Sequence, residues 1–282
     1  MKLAYDSIIG ILIGVALFVF AIVSSTDNYF MFLDTPSLMM VLGGTLAGTM
    51  ISYKGGDVYK SLKALLTIFL PTTISSKTLY LEVEKLIGLS RLIKRDGLVG
   101  VETKLGPEFK TDAFLKYAVD LLISGYRGDE LRKMLSNFTE TNYERSLIHS
   151  HILKTMGTLA PGFGMLGTVI GLVIMLDNLG SDPRMLGKGL AFALITTLYG
   201  VLFSSLVFKP ASEKLRQKEE LHRFRNLLLT EGFVLVGESR ESMLIQDMMN
   251  SFLDPESHFS LTEVRSIQDI VKSDGQPTQD NN

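Results

Sequence analysis

The sequence predicts an all-α integral membrane protein, with four transmembrane helices and a cytoplasmic helical domain. Three observations carry that prediction. Of the 282 residues, 46% are hydrophobic, and they are bunched into separate runs that raise the mean hydropathy to +0.25. Four segments, 7–28 (with Asp27 only at its end), 35–53, 155–176 and 189–208, are otherwise free of Asp, Glu, Lys, Arg and His. Each is near the ~20 residues needed to cross a bilayer. The basic residues are segregated as well, since 16 of the 28 Lys and Arg fall in 54–154 and 9 from 209 onward.

The first segment follows Lys2 and ends near small residues, as a signal peptide would. No A-x-A-like cleavage site follows and a second apolar segment comes shortly after, so an uncleaved first span is expected. The connection 24–36 holds Asp27 and Asp34 but no Lys or Arg, whereas 177–188 holds only Arg184 and Lys188. The positive-inside rule then puts both termini and the long middle segment in the cytoplasm. The expected organisation is two spans with a short outer loop over 1–53, a cytoplasmic helical domain over 54–154 and two further spans over 155–208. Cytoplasmic helices over 209–271 and a polar, disordered tail over 272–282 complete it.

Between the second and third spans, Leu79, Val83, Leu86, Ile87, Leu89 and Ile93 recur at near-helical spacing, and Gly97 ends the pattern. Further helices are expected over 112–128 and 128–157, broken at Gly125 and Gly128, with the second running on into the third span. Helical character continues past Pro210 out of the fourth span. Together these segments suit a helical bundle.

Several kinds of chemistry find no support. There is no cysteine, so no disulfide or thiolate site can form. His149 and His151 stand two apart and project in different directions on a helix, so they are not read as a metal pair. The net charge of −2 gives no sign of a nucleic-acid partner. No phosphate loop or nucleotide-binding glycine pattern is present, and no enzyme is predicted.

The third span, "LAPGFGMLGTVIGLVIML", gives up much side chain for a membrane helix. Gly157, Pro161, Gly164, Thr168, Gly171 and Met175 step by three and four, and so share one face. On the fourth span Gly189, Ala193, Thr197 (beside Thr196), Gly200 and Ser204 do the same. Close helix packing accounts for the glycines, and Gly44 with Gly48 has the same small-xxx-small spacing. It accounts less well for the threonines, because Ala would pack as closely. A Thr hydroxyl, or a carbonyl freed by Pro161, can instead bond an ion or a partner's side chain. No span carries a deep acid. If the protein moves ions, the carboxylate must come from another chain, and the stripes become the surface on which that chain's helix lies.

At these residues the sequence resembles the MotA/PomA family of flagellar motor stator proteins, relatives of the TolQ/ExbB energising subunits. The third-span stretch and "GLAFALITTLYGVLFSSLVFKPASEKL" are similar to that family's third and fourth spans, and the likeness extends over nearly the whole chain. The resemblance implies a subunit of the bacterial inner membrane. About five copies would surround a dimer of a single-span, peptidoglycan-binding, MotB/PomB-like partner that supplies an Asp. Pro161 and Pro210 match the family's two functional prolines, expected to gate or hinge. Thr168, Thr196 and Thr197 match threonines lining the ion path, and Gly164, Gly171, Gly200 and Ser204 are expected to pack the partner helix. Lys94, Arg95 and Glu102 take the charged positions that meet a FliG-like rotor switch protein, although Lys94 replaces the usual Arg. No cofactor is implied beyond the transported cation, H+ or Na+, and three hydroxyls able to replace a hydration shell favour Na+. A TolQ/ExbB-like energiser and a non-conducting membrane scaffold are the alternatives.

Overall fold

The computed structural model describes residues 5–66, 74, 76–102, 111–180, 183–253, 255 and 258. The polar tail 272–282 lies outside them, and no strand occurs among the described residues. The helices in order are α1 (Tyr5–Ser25), a short 3-10 turn (Tyr29–Phe32), α2 (Thr35–Ser52), α3 (Gly55–Leu65) and α4 (Ser76–Glu102). There follow α5 (Ala113–Ile123), α6 (Gly128–Asp177), α7 (Pro183–Phe203), a π turn (Ser204–Phe208), α8 (Lys209–Gly237) and α9 (Ser242–Asn250). Three stretches are long and apolar enough to cross a bilayer: Tyr29–Ser52, Gly128–Asp177 and Arg184–Gly237. The apolar part of the first helix, Ile9–Ser25, is shorter.

The chain divides into two compact units. The first combines residues 1–72 with 146–219. Its core is built from Val41, Val58, Ile152, Leu153, Met156, Ala160, Phe208, Ala211 and Leu215. Helix α2 starts cleanly because the Asp34 carboxylate accepts the Ser37 N–H at 2.8 Å and Pro36 fills the first turn. Its buried edge, Ser37, Val41, Thr45 and Thr49, repeats every four residues, and the two Thr hydroxyls donate back to the carbonyls of Val41 and Thr45. Gly44 and Gly48 form a socket for the Phe163 ring, so this glycine pair admits an aromatic side chain instead of a second backbone. The Tyr199 hydroxyl donates to the Phe32 carbonyl, and the Asp34 N–H donates to the same phenol at 3.3 Å. These bonds pin the α1–α2 connection to α7 about one turn before that helix ends at Phe203. Toward the charged end of this unit, Ser150 and Ser212 donate reciprocally to each other's carbonyls at 2.8 and 2.9 Å. On the exposed surface, the hydrogen bond from Arg216 holds the Glu213 carboxyl below its ordinary pKa.

The second unit combines residues 73–145 with 220–282. It is a helical bundle closed around Leu86, Ile87, Phe114, Leu122, Leu131, Leu135, Leu228, Leu229, Phe233, Ile245 and Met249. On α4 the expected apolar face is the buried one: Val83, Leu86, Ile87 and Leu89 are enclosed, with Leu79 and Ile93 half-buried. Gly97 does interrupt this helix, at φ +72°, a left-handed conformation that glycine adopts without strain. Helical geometry then resumes to Glu102. Helix α5 is capped by Asp112, whose Oδ1 accepts the N–H groups of Phe114 and Leu115. The other oxygen of Asp112 pairs with Arg225 at 2.8 Å, and Glu82 pairs with the same guanidinium at 3.0 Å. Arg225 is only 7% exposed, so two carboxylates from separate elements offset its desolvation. More exposed pairs, Arg132 with Glu231 and Arg223 with Glu140, raise their arginine pKa values through side-chain hydrogen bonds.

Candidate functional site

The third and fourth apolar segments meet as an antiparallel pair whose contact is mostly backbone. A methyl built on Gly171 would lie 2.6 Å from the Gly189 carbonyl oxygen, and one on Gly189 would lie 2.8 Å from that of Gly171. Lower in the seam the relation repeats. Gly164 faces the Thr196 carbonyl oxygen at 2.9 Å and Gly200 faces that of Ala160 at 2.7 Å. Gly167 lies directly over the Thr196 side chain. Only glycine permits this approach, which brings Cα–H groups of one helix against carbonyls of the other.

Gly164, Gly171, Gly200 and Ser204 are the residues expected to pack a partner's helix. All four are buried in the seam between this chain's own α6 and the α7–π segment. The helical spacing is as read from the sequence, and the opposite stripe that satisfies it belongs to the same chain.

The threonines separate into two environments. Thr196 is fully buried, and its hydroxyl lies 2.9 Å from the Phe192 and Ala193 carbonyls of its own helix, so it is a seam residue. Thr168 is half-buried and Thr197 exposed, at the edge of the seam. Their hydroxyls bond each other across the two helices. Thr168 Oγ1 also lies 3.1 Å from the Ala193 oxygen and 3.3 Å from the Gly164 oxygen, while Thr197 Oγ1 lies 3.3 Å from the Gly164 oxygen. Each hydroxyl has one proton to donate, so these contacts cannot all be satisfied at once. Two hydroxyl and two carbonyl oxygens thus lie within hydrogen-bond reach of one another, with Thr197 at the exposed edge of the seam. Among the described residues no group of three or more His, Asp or Glu side chains is placed to hold a metal.

Both expected hinge prolines lie beside irregular hydrogen bonding. Pro161 sits inside α6, where its missing N–H deprives the Gly157 carbonyl of a donor. The Ser204 hydroxyl of the π turn donates to that oxygen at 2.5 Å. Pro210 lies two residues past the π turn, whose capping Lys209 N–H reaches back five residues to the Ser204 oxygen. Sequence reasoning placed Ser204 on a partner surface and missed this bond; the signal available was a Ser opposite a residue four before a proline. Lys94 and Arg95 are exposed on α4 just before Gly97. Glu102 closes that helix after the glycine, and its side chain lies outside the described structure.

Comparison with known proteins gives consistent likenesses. The model of the MotA/TolQ/ExbB proton channel family matches residues 108–225. Motility protein A of Cereibacter sphaeroides is 32% identical over 79% of this chain and 85% of its own. The uncharacterized protein YtxD of Bacillus subtilis is 31% identical over 88% of this chain and 90% of its own. In fold, the chain superposes on the structure of C. jejuni MotAB with a TM-score of 0.79 at 21% identity, covering 92% of this chain and 99% of that one.

Proposed function

The chain belongs to the MotA family of flagellar motor stator proteins, components of ion channels and not enzymes, and from that premise we propose how it works. It is a multi-pass protein of the bacterial inner membrane with four spans, the short α1 included, and both termini in the cytoplasm. Residues 54–154 and 209–271 form its cytoplasmic part, and 155–208 carry the ion path. Several copies, five in this reading, encircle a dimer of a MotB-like, single-span, peptidoglycan-anchored protein whose Asp binds the passing cation. Neutralising that Asp loosens its hold on one subunit interface, and the ring steps. Lys94, Arg95 and Glu102 then drive a FliG-like rotor protein.

The observation that carries this reading is the Thr168–Thr197 pair with the Gly164 and Ala193 carbonyls: four oxygens on an edge of acid-free helices. Oxygens without a carboxylate solvate a cation yet do not trap it, which suits a path whose charge is supplied by the partner. The same chemistry favours Na+ over H+, since a proton needs no cage of neutral oxygens. Replacing Thr197 with Leu is expected to abolish swimming and cation conductance while the complex still assembles. Conductance that survives the substitution refutes the ion path. Swimming speed is expected to rise with external Na+ at fixed pH, and a flat response would replace Na+ with H+.

A further inference from the structure

Pro161 and Pro210 are far apart in sequence, yet their consequences meet at one pair of atoms. In an α-helix the N–H of residue 161 would serve the carbonyl of residue 157, and Pro161 has no N–H to give. An unserved carbonyl inside a bilayer is costly, so another donor must fill the place. The Ser204 hydroxyl does so at 2.5 Å, with Ser204 only 1% exposed. Ser204 also opens the π turn that precedes Pro210, and its own carbonyl accepts the Lys209 N–H. Gly157 is pressed onto this turn: a methyl added there would lie 2.9 Å from Lys209 Cγ and 3.4 Å from Phe208 Cβ. Leu206, Val207 and Pro210 also border an apolar groove of about 460 Å3.

We propose that Ser204 is a latch: its hydroxyl closes the gap that Pro161 makes in the third span, and its release lets that span bend as the π turn before Pro210 relaxes. Ser204 is a positioning residue, acting through the Gly157 carbonyl and touching no ion. The latch itself needs only the geometry; its use during ion-driven stepping rests on the stator reading. In the π turn the Lys209 N–H bonds the Ser204 oxygen five residues back, so a return to regular helix only exchanges that acceptor for the next carbonyl. Breaking one hydroxyl bond therefore frees both weakened points together. With the bond closed, the Pro161 region keeps its helical line.

The test is a double-mutant cycle on the full-length protein purified from membranes. In the native background Ser204→Ala is expected to lower the thermal midpoint by about 2–4 °C. In a Pro161→Ala background the Gly157 carbonyl regains its own helical donor, and the same substitution is expected to shift the midpoint by less than about 1 °C. A purely packing role for Ser204 predicts equal shifts in both backgrounds, and that result would overturn the latch. Should Pro161→Ala fail to fold, isotope-edited infrared of a labelled Gly157 carbonyl decides the matter with Pro161 intact. Its band is expected to move to higher wavenumber in Ser204→Ala, and an unmoved band overturns the bond. In cells, torque per assembled unit is expected to fall in Ser204→Ala, and unchanged torque overturns the role in stepping. Failure of even the unsubstituted chain to restore motility would overturn the stator reading alone, because the infrared and thermal results do not depend on it.

Discussion

At Gly171 a single methyl group decides whether two helices can touch. Its nearest neighbours would be the Gly189 carbonyl oxygen and the Ala193 backbone, neither of which can swing aside as a side-chain tip would. Gly171→Ala is therefore expected to destabilise the purified protein by about 1–3 kcal/mol. Gly162, in the same helix, has nothing within 4 Å of an added methyl. Gly162→Ala is expected to be neutral or to stabilise by roughly 0.5–1 kcal/mol through helix propensity. Thermal unfolding of the two variants side by side checks the contrast; equal losses would mean that the seam is looser than its distances say. The small-residue face was legible in the sequence from its three-and-four spacing. Its recipient was not, because spacing fixes which residues share a face and leaves open what lies opposite. A same-chain stripe and a partner's helix pose the same steric demand.

Among the elements, the apolar rhythm of α4 and the continuity of α6 through the charged-to-apolar transition at Thr155 follow from sequence alone. Both rest on side-chain periodicity, which local geometry dictates. The π turn does not, since Pro210 says only which bond is missing and not which longer bond replaces it. Nor does the pairing at Arg225, because its acids come from 143 residues upstream at Glu82 and 113 upstream at Asp112. That guanidinium joins α8 to α4 and to the capping residue of α5. Removing it strands two carboxylates, so Arg225→Ala is expected to cost about 3–5 kcal/mol in chemical denaturation. The more exposed Arg132→Ala is expected to cost less than about 1 kcal/mol. Combining Arg225→Met with Glu82→Gln and Asp112→Asn is expected to recover most of the loss, as Asn still caps α5. If the triple variant is no better than Arg225→Ala, the ion pairs are not the source of that stability.

For the whole molecule, charge distribution and hydrophobic runs carry the membrane reading, and family membership makes the chain a motor component. The residues proposed to meet the rotor are the part least determined by the fold: Lys94 and Arg95 stand exposed on α4, beside a left-handed glycine that redirects the chain. Reversing charge with Arg95→Glu is expected to lower motor torque severalfold while leaving membrane assembly intact, and a compensating reversal on the rotor should restore it. Undiminished torque at normal assembly would remove Arg95 from the rotor contact.

The reciprocal glycines have a mechanical consequence. Where backbone rests on backbone there is no side-chain cushion to compress, so the upper parts of α6 and α7 should travel as one stiff blade. Slippage is then confined to the blade's outer skin, where Met165, Val169, Val173, Leu194 and Val201 are exposed. Flexure is left to its root, at the π turn of Ser204 and at Pro210, with Pro161 on the border between the two, since Gly200 packs against its Cα. The proposed stepping of a ring of such subunits would use that division between blade and pivot, turning without shear inside a subunit.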